Sequence, residues 1–286
     1  MLTILAPAKL NLTLEVLAER PDGFHEIRSV FQTINLCDRL HFRLEQEVEF
    51  QSSMPDWIAE ESLVSEAASL LQEATGCAKG ATIKIDKRIP LSSGLGGDSS
   101  GAAAILQGLD KLWGLDLSQG ELLGLASQLG SDVAFFLYGG TALVGGRGEV
   151  ITPLPPLPHM WVVLMMPPVP GMQEKTKQLY ASLKASHYTD GQITERLVEE
   201  LKAGRELNPS LLFNTFENVA FTRFSGLNVS REHFIKIGAA EVHLAGSGPA
   251  LFTLTKDKTQ AEKIYQHLQQ QGLETYLTGT LAAIEG

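Results

Sequence analysis

Residues 90–104, PLSSGLGGDSSGAAA, constrain the fold most, because they join two patterns of different period. Before them, Thr82-Ile83-Lys84-Ile85-Asp86 alternates apolar and polar residues, as a strand does. After them, Ala102, Ile105, Leu106, Leu109, Leu112 and Trp113 recur at helical spacing. Gly94, Gly96 and Gly97 therefore lie between a strand and a helix start. There, bare backbone approaches a ligand closely and several N–H groups point at one anion. A helix N-terminus adds partial positive charge, so phosphate is the natural guest. Ser99 and Ser100 either cap the helix or offer hydroxyls to phosphate oxygens or a metal. A plain glycine-rich turn with a serine cap fits the same residues. Two familiar loops are excluded. There is no G-x-x-x-x-G-K-[ST], and Gly94-Leu95-Gly96-Gly97 fails the G-x-G-x-x-G spacing of dinucleotide binders.

The 286 residues suffice for one large domain or two modest ones. A formal charge of −10 argues against nucleic acid or an anionic membrane as the main partner, though not against a nucleotide held by a few aimed N–H groups. Cys37 and Cys77 are too few for a disulfide framework, which points to a reducing compartment. The N-terminus lacks the basic start and long apolar run of a signal peptide, and the run MWVVLMMPPVP is too short to span a membrane. A cytoplasmic globular protein is expected.

Along the chain, Leu10, Leu12, Leu14 and Val16 alternate with Asn11, Thr13 and Glu15, which predicts a half-buried strand. Lys9 and Asn11 share the face opposite the leucines. Pro21-Asp22-Gly23 signals a turn, and residues 30–36 resume an extended pattern, so a hairpin-like return is expected with Phe24-His25 near its tip. A lone histidine there is more often surface than ligand. Residues 60–75 form an amphipathic helix stopped by Gly76, and Ser118-x-x-Glu121 is a capping box. Ser131 or Asp132 caps a short apolar helix. Alternatively, Asp132 is a well-held, partly desolvated carboxylate suited to a general base. Residues 141–144 and 149–152 make a strand pair. Pro153-Leu154-Pro155-Pro156-Leu157-Pro158 is the best boundary, dividing the chain into 1–155 and 156–286. Beyond it, strands are expected at 161–166, 241–245, 251–255 and 274–281, and helices at 173–185, 192–202, 209–224, 231–238 and 258–271. That order is ferredoxin-like with extra helices, and the class is α+β.

The pattern P-x-x-x-G-L-G-G-x-S-S resembles the ATP loop of the GHMP kinases. Within that superfamily, APAKLNLTLEV followed by RPDGFHEIRSVFQTINLCD resembles the 4-diphosphocytidyl-2-C-methyl-D-erythritol (CDP-methylerythritol) kinase family. LGSDVAFFLYGGTALVGGRGE, NTFENVA and LAGSGPALF resemble the L-G-A-D-V-P-F-F, N-D-F-E and M-S-G-S-G stretches of the same family, so the resemblance covers essentially the whole chain in order. It implies a ribosomal-protein-S5-domain-2-like ATP domain, a ferredoxin-like second domain and an active site in the cleft between them. It further implies phosphorylation of the 2-hydroxyl of CDP-methylerythritol by ATP and Mg²⁺ in the non-mevalonate isoprenoid pathway. The protein is then a monomer or weak homodimer.

The same resemblance implies the site. Lys9 and Asp132 are the catalytic pair, Asp132 taking the hydroxyl proton and Lys9 stabilising the developing alkoxide. Pro90, Leu91, Ser92, Ser93, Gly94, Leu95, Gly96, Gly97, Asp98, Ser99 and Ser100 hold ATP. Phe24 stacks on cytosine, His25 bonds its edge, and Asn11 contacts the erythritol hydroxyls. K-T-x-x-L-Y resembles the family's S-T-x-x-V-Y, so Thr176 or Tyr180 closes the cytosine side, and Gly246 and Ser247 meet the substrate's tail or form a tight hairpin turn. No metal ligands are assigned. Departures are Asp98 for a small residue, Gly101 for Asp or Asn, Ser92-Ser93 for small residues, Ala134 for Pro and Thr215 for Asp. A carboxylate at 98 repels ATP unless it points away or binds Mg²⁺. The alternatives are another GHMP kinase of homoserine or mevalonate type, or a nucleotide-binding protein of this fold without turnover.

Overall fold

The computed structural model describes residues 1–55, 57–170 and 174–282. Its spine is a long antiparallel hairpin of β1 (Leu2–Glu19) and β2 (His25–Glu45). Arg20 and Phe24 close its turn, with Arg20 N–H donating to Phe24 O at 2.7 Å. There follow β3 (Val48–Ser52), α1 (Leu63–Thr75), β4 (Gly80–Asp86), α2 (Gly97–Trp113), α3 (Gln119–Leu129), α4 (Val133–Tyr138), β5 (Thr141–Gly146) and β6 (Val150–Pro153). After the proline-rich link come β7 (Trp161–Met166), α5 (Lys175–Ser182), α6 (Gln192–Lys202), β8 (Phe213–Asn214) and α7 (Glu217–Arg223). The chain ends with α8 (Leu227–Lys236), β9 (His243–Leu244), β10 (Leu251–Thr255), α9 (Lys258–Gln270) and β11 (Glu274–Gly279).

Two sheets organise these elements. The first runs β3-β4-β2-β1-β8, with β5 on the other half of β2 and β6 beyond it; the second is antiparallel, β11-β7-β10-β9. The aromatic core of the first lies under α1 to α4, where Phe31, Phe42, Trp113, Phe135 and Phe136 are buried. A second core mixes Leu10, Leu12 and Ile34 of the long hairpin with Leu164 and Phe252 of the other sheet, so the two sheets share apolar packing rather than a hinge alone.

Three expectations need correction. The first strand is buried on both faces, with Asn11, Thr13 and Glu15 each at most 2% exposed. The polar face is covered by α6, whose Thr194 donates its N–H to Glu15 Oε2 at 2.7 Å and its hydroxyl to Thr13 Oγ1 at 3.0 Å. Residues 209–224 are not one helix. A 3₁₀ turn (Pro209–Leu211) gives way to β8, which pairs parallel with Thr13 and Leu14 of β1 before α7 begins. Pairing to an available strand outweighs helical periodicity. Finally, the expected strand 241–245 is reduced to two paired residues of β9. Gln173, the expected start of a helix, lies outside the described residues; α5 begins at Lys175. The capping box at Ser118 and Glu121 is present, and Gly76 ends α1 in the left-handed conformation.

Candidate active site

One cleft of about 1310 Å³ lies between the long hairpin, the glycine loop and the first turn of α5. Its floor is β1. Lys9 and Asn11 share a face because strand side chains alternate, and Lys9 Nζ donates to Asn11 Oδ1 at 2.8 Å. The same ammonium is 3.4 Å from Asp132 Oδ2 and 4.4 Å from the centre of the Phe31 ring. Lys9 is 4% exposed, and ammonium groups this deep are found paired. Asp132 stands at the N-cap of α4 but accepts no capping bond from that helix, so its carboxylate faces Lys9 instead. Asn11 Nδ2 donates to Ser29 Oγ at 3.1 Å, which fixes its orientation.

The glycine loop rests on this floor. Lys9 N–H donates to Leu95 O at 2.9 Å. Gly96 has φ +75°, and a Cβ there would stand 2.9 Å from the Phe136 ring and 3.1 Å from Lys9 Cγ, so only glycine fits. Gly96 is the N-cap of α2, which leaves the N–H groups of Gly97, Asp98 and Ser99 without intrahelical acceptors at the cleft wall. Ser99 and Ser100 thus sit inside the first turn and do not cap it. Ser93 Oγ donates to Pro90 O at 2.7 Å, folding Pro90, Leu91 and Ser92 along the cleft edge. Asp98 lines the cleft, and its Oδ2 accepts the Leu63 N–H at 3.3 Å, at the start of α1. Burial raises its carboxyl, with that bond opposing. Gly101, one turn on, faces the same helix, since a Cβ there would be 2.9 Å from Val64 Cγ1. The departures at 98 and 101 therefore both meet α1.

The other end is aromatic. Phe24 is 52% exposed on the hairpin turn, with the Arg147 guanidinium 4.6 Å over its ring. His25 stacks on Tyr180 at 4.6 Å and 24°, and Tyr180 meets Phe216 edge-on at 4.8 Å. Burial holds the His25 imidazole below its ordinary pKa, opposed by Glu19, and raises the Tyr180 phenol, with Asp132 adding to the effect. Gly246 and Ser247 form the tight turn between β9 and β10 and also line the cleft. Thr176 Oγ1 and Ser247 Oγ are hydrogen-bonded at 2.9 Å. A Cβ on Gly246 would stand 2.9 Å from Gly94 O, so the two glycine turns press together.

The chain and its fold match known proteins. The model of the GHMP kinases N terminal domain matches residues 62–140, and that of the GHMP kinases C terminal matches 194–273. A 4-diphosphocytidyl-2-C-methyl-D-erythritol kinase of Dehalococcoides mccartyi is 51% identical over 285 residues, covering 100% of both chains. The chain belongs to that kinase family. A second member, from Geobacillus kaustophilus, is 39% identical over 94% of this chain and 93% of its own. A crystal structure of a 4-(cytidine 5'-diphospho)-2C-methyl-D-erythritol kinase superposes with a TM-score of 0.83 at 33% identity, covering 98% of this chain and 99% of the other. As a GHMP kinase the chain is an ATP-dependent kinase with the two-domain α+β fold of the superfamily.

Several residues in or behind the cleft of this GHMP kinase escaped sequence reasoning. Asn214 donates to Leu244 O at 2.9 Å and Gly246 O at 2.8 Å and accepts the Phe216 N–H, so it shapes the opposite turn from within the N-T-F-E stretch. That stretch carried the resemblance, but the expected helix over 209–224 placed its asparagine inside a helix and gave it no role. Arg147 sat in a glycine-rich turn with nothing to tie it to Phe24, 123 positions away in the chain. Trp57 and Lys87 extend the cleft beyond Ser99; the Lys87 ammonium, 5.3 Å from the Trp57 ring, also pairs with buried Asp38. No local pattern marks them.

Proposed function

We propose that this chain transfers the γ-phosphoryl group of ATP to the 2-hydroxyl of CDP-methylerythritol, the reaction its relatives' names imply. The observation that carries the reading is the Lys9–Asp132 pair, 3.4 Å apart, at the floor of a cleft with a phosphate cradle at one end and an aromatic pocket at the other. Its volume exceeds that of a typical single-ligand pocket of about 300–1,000 Å³, as two nucleotide-sized ligands require.

Asp132 accepts the proton of the 2-hydroxyl as that oxygen attacks phosphorus. Lys9 Nζ stabilises the alkoxide charge as it develops, and Asn11 orients the erythritol hydroxyls. The first-turn N–H groups of α2 and residues 90–100 hold the ATP phosphates. Mg²⁺ would arrive with the nucleotide, because no group of three or more His, Cys, Asp or Glu side chains among the described residues is placed to hold a metal. The oxygen donors suit it: Ser99 lines the cleft, and Ser100 Oγ is buried without a hydrogen-bond partner among the described residues. When bound, the ion supplies charge neutralisation at the transferring phosphoryl group.

Phe24 stacks on the cytosine ring, while His25, kept neutral by burial, has one donor and one acceptor nitrogen for the base edge. Tyr180 and Thr176 close that side, and Gly246 and Ser247 bound the substrate's tail. Residues 1–155 and 156–286 are the working domains, and the free Cys37 and Cys77 suit the cytoplasm.

The deciding experiment is ADP release with CDP-methylerythritol, beside homoserine and mevalonate as acceptors. Turnover with the cytidylyl substrate alone is expected, and Asp132→Asn is expected to lower kcat by about two to four decades. Turnover with another acceptor instead, or full activity in the variant, would sink the reading.

A further inference from the structure

Lys175 opens α5 and stands where the family's S-T-x-x-V-Y has a serine. Its ammonium donates to Ser92 O at 2.6 Å and to Gly248 O, so a single side chain ties the glycine loop to the turn opposite. Ser92 needs holding: it is a non-glycine residue at φ +53°, in the sparsely populated left-handed region. The loop–turn contact is also made by backbone, since Ala250 N–H donates to Ser93 O at 3.2 Å.

Both acceptors of Lys175 are neutral carbonyls. Among the described residues it forms no salt bridge, although carboxylates stand nearby. Glu174, beside it in sequence, pairs with Lys177, and Glu274, across a small apolar crevice, accepts the Tyr276 hydroxyl at 2.6 Å. On the cleft side stand Lys9 and Asp132, already paired, and the Tyr180 phenol, and the same cleft is lined by Glu19, His25, Glu61, Lys87, Asp98, Arg147 and Lys177, none of which forms a salt bridge with Lys175. A cation with no counter-ion, next to a second cation and against a phosphate cradle, is a site one anion short. Burial, with Lys9 adding to it, pushes Lys175 down to about 8.

We propose that Lys175 is a positioning residue for the polyphosphate: it ties the glycine loop to the 246–249 turn and adds its charge to that of Lys9 on the anion held between them. The inference rests on the reading that ATP occupies the glycine loop. Its protonated form is the working one, so its contribution is present at neutral pH and is lost as pH rises through about 8, unless bound nucleotide lifts that value.

The test uses the full chain with adenylyl imidodiphosphate, Mg²⁺ and calorimetry. A charged hydrogen-bond donor is worth about 1.5–3 kcal/mol, so Lys175→Met is expected to weaken binding about tenfold to a hundredfold. Its kcat at saturating ATP should change far less. In the wild type, kcat/KM for ATP should fall above about pH 8, and this limb should vanish in Lys175→Met. Lys175→Arg, charged throughout, should keep its affinity at pH 9. Acetic anhydride should label Lys175 in the free protein and less so with the analogue bound. Equal affinity in wild type and Lys175→Met, or an unchanged pH limb, overturns the inference while turnover leaves the kinase reading standing. No analogue binding by the wild type overturns both.

Discussion

The two ends of the cleft are made of different material. At the end proposed for ATP the wall is backbone: the N–H groups of Gly97, Asp98 and Ser99, and a loop whose glycines leave no room for a Cβ against Phe136, Lys9 and the Ala245 carbonyl. At the end proposed for the base it is side chains, Phe24, His25 and Tyr180, with Arg147 over the outermost ring. Backbone cradles suit an anion whose charge is the same in every nucleotide. Aromatic faces and a histidine edge suit a base that has to be distinguished from others. The first end therefore fails when a side chain is added, and the second when one is removed.

Of the variants that separate the two ends, Gly94→Ala is expected to have the largest effect. Gly94 has φ +86°, and a Cβ there would run into the Ala245 carbonyl across the cleft. The left-handed conformation alone costs about 1–2 kcal/mol for a residue with a Cβ. With the collision added, KM for ATP should rise about a hundredfold or more while the CDP-methylerythritol KM moves little. Phe24→Ala should do the reverse. Loss of a stacking ring worth about 1–3 kcal/mol raises the CDP-methylerythritol KM about tenfold to a hundredfold and leaves ATP binding unchanged. Steady-state kinetics with each substrate varied in turn separates the two, and a shared shift in both KM values would break the division. The smallest effect belongs to Asp98→Asn. Because Asp98 Oδ2 is turned to the Leu63 N–H, KM for ATP should stay within about fivefold, the range of an exposed charge interaction. A large gain in ATP affinity would mean that the carboxylate faces the phosphates after all.

Legibility followed the same divide. The strand–glycine–helix junction could be read because its signals are local: period two, then glycines, then period 3.6. The helix starts at Gly97 rather than at a serine, since Gly96 takes the left-handed capping conformation that glycine alone adopts freely. The base end was visible only through resemblance, as a lone histidine after a turn carries no signal of its own; its stacking on Tyr180, 155 residues on, is tertiary. Residues 209–224 misled for a related reason. Their apolar spacing is helical, but β1 offers Thr13 and Leu14 as partners and Asn214 is drawn to two carbonyls of the opposite turn.

The sequence by itself determined most of the elements, the strand–glycine–helix junction and the family, because these rest on periodicity, glycine conformations and residues in fixed short spacings. It also placed Lys9 and Asn11 on one face. Only the tertiary structure decided that Asp132, 123 residues from Lys9, approaches it to 3.4 Å, that Asp98 meets the start of α1, and that Lys175 bridges two turns from different sheets. A short spacing fixes which way a side chain leaves its own strand or helix. What it meets depends on packing between elements far apart in the chain, and that is set by the whole buried surface at once.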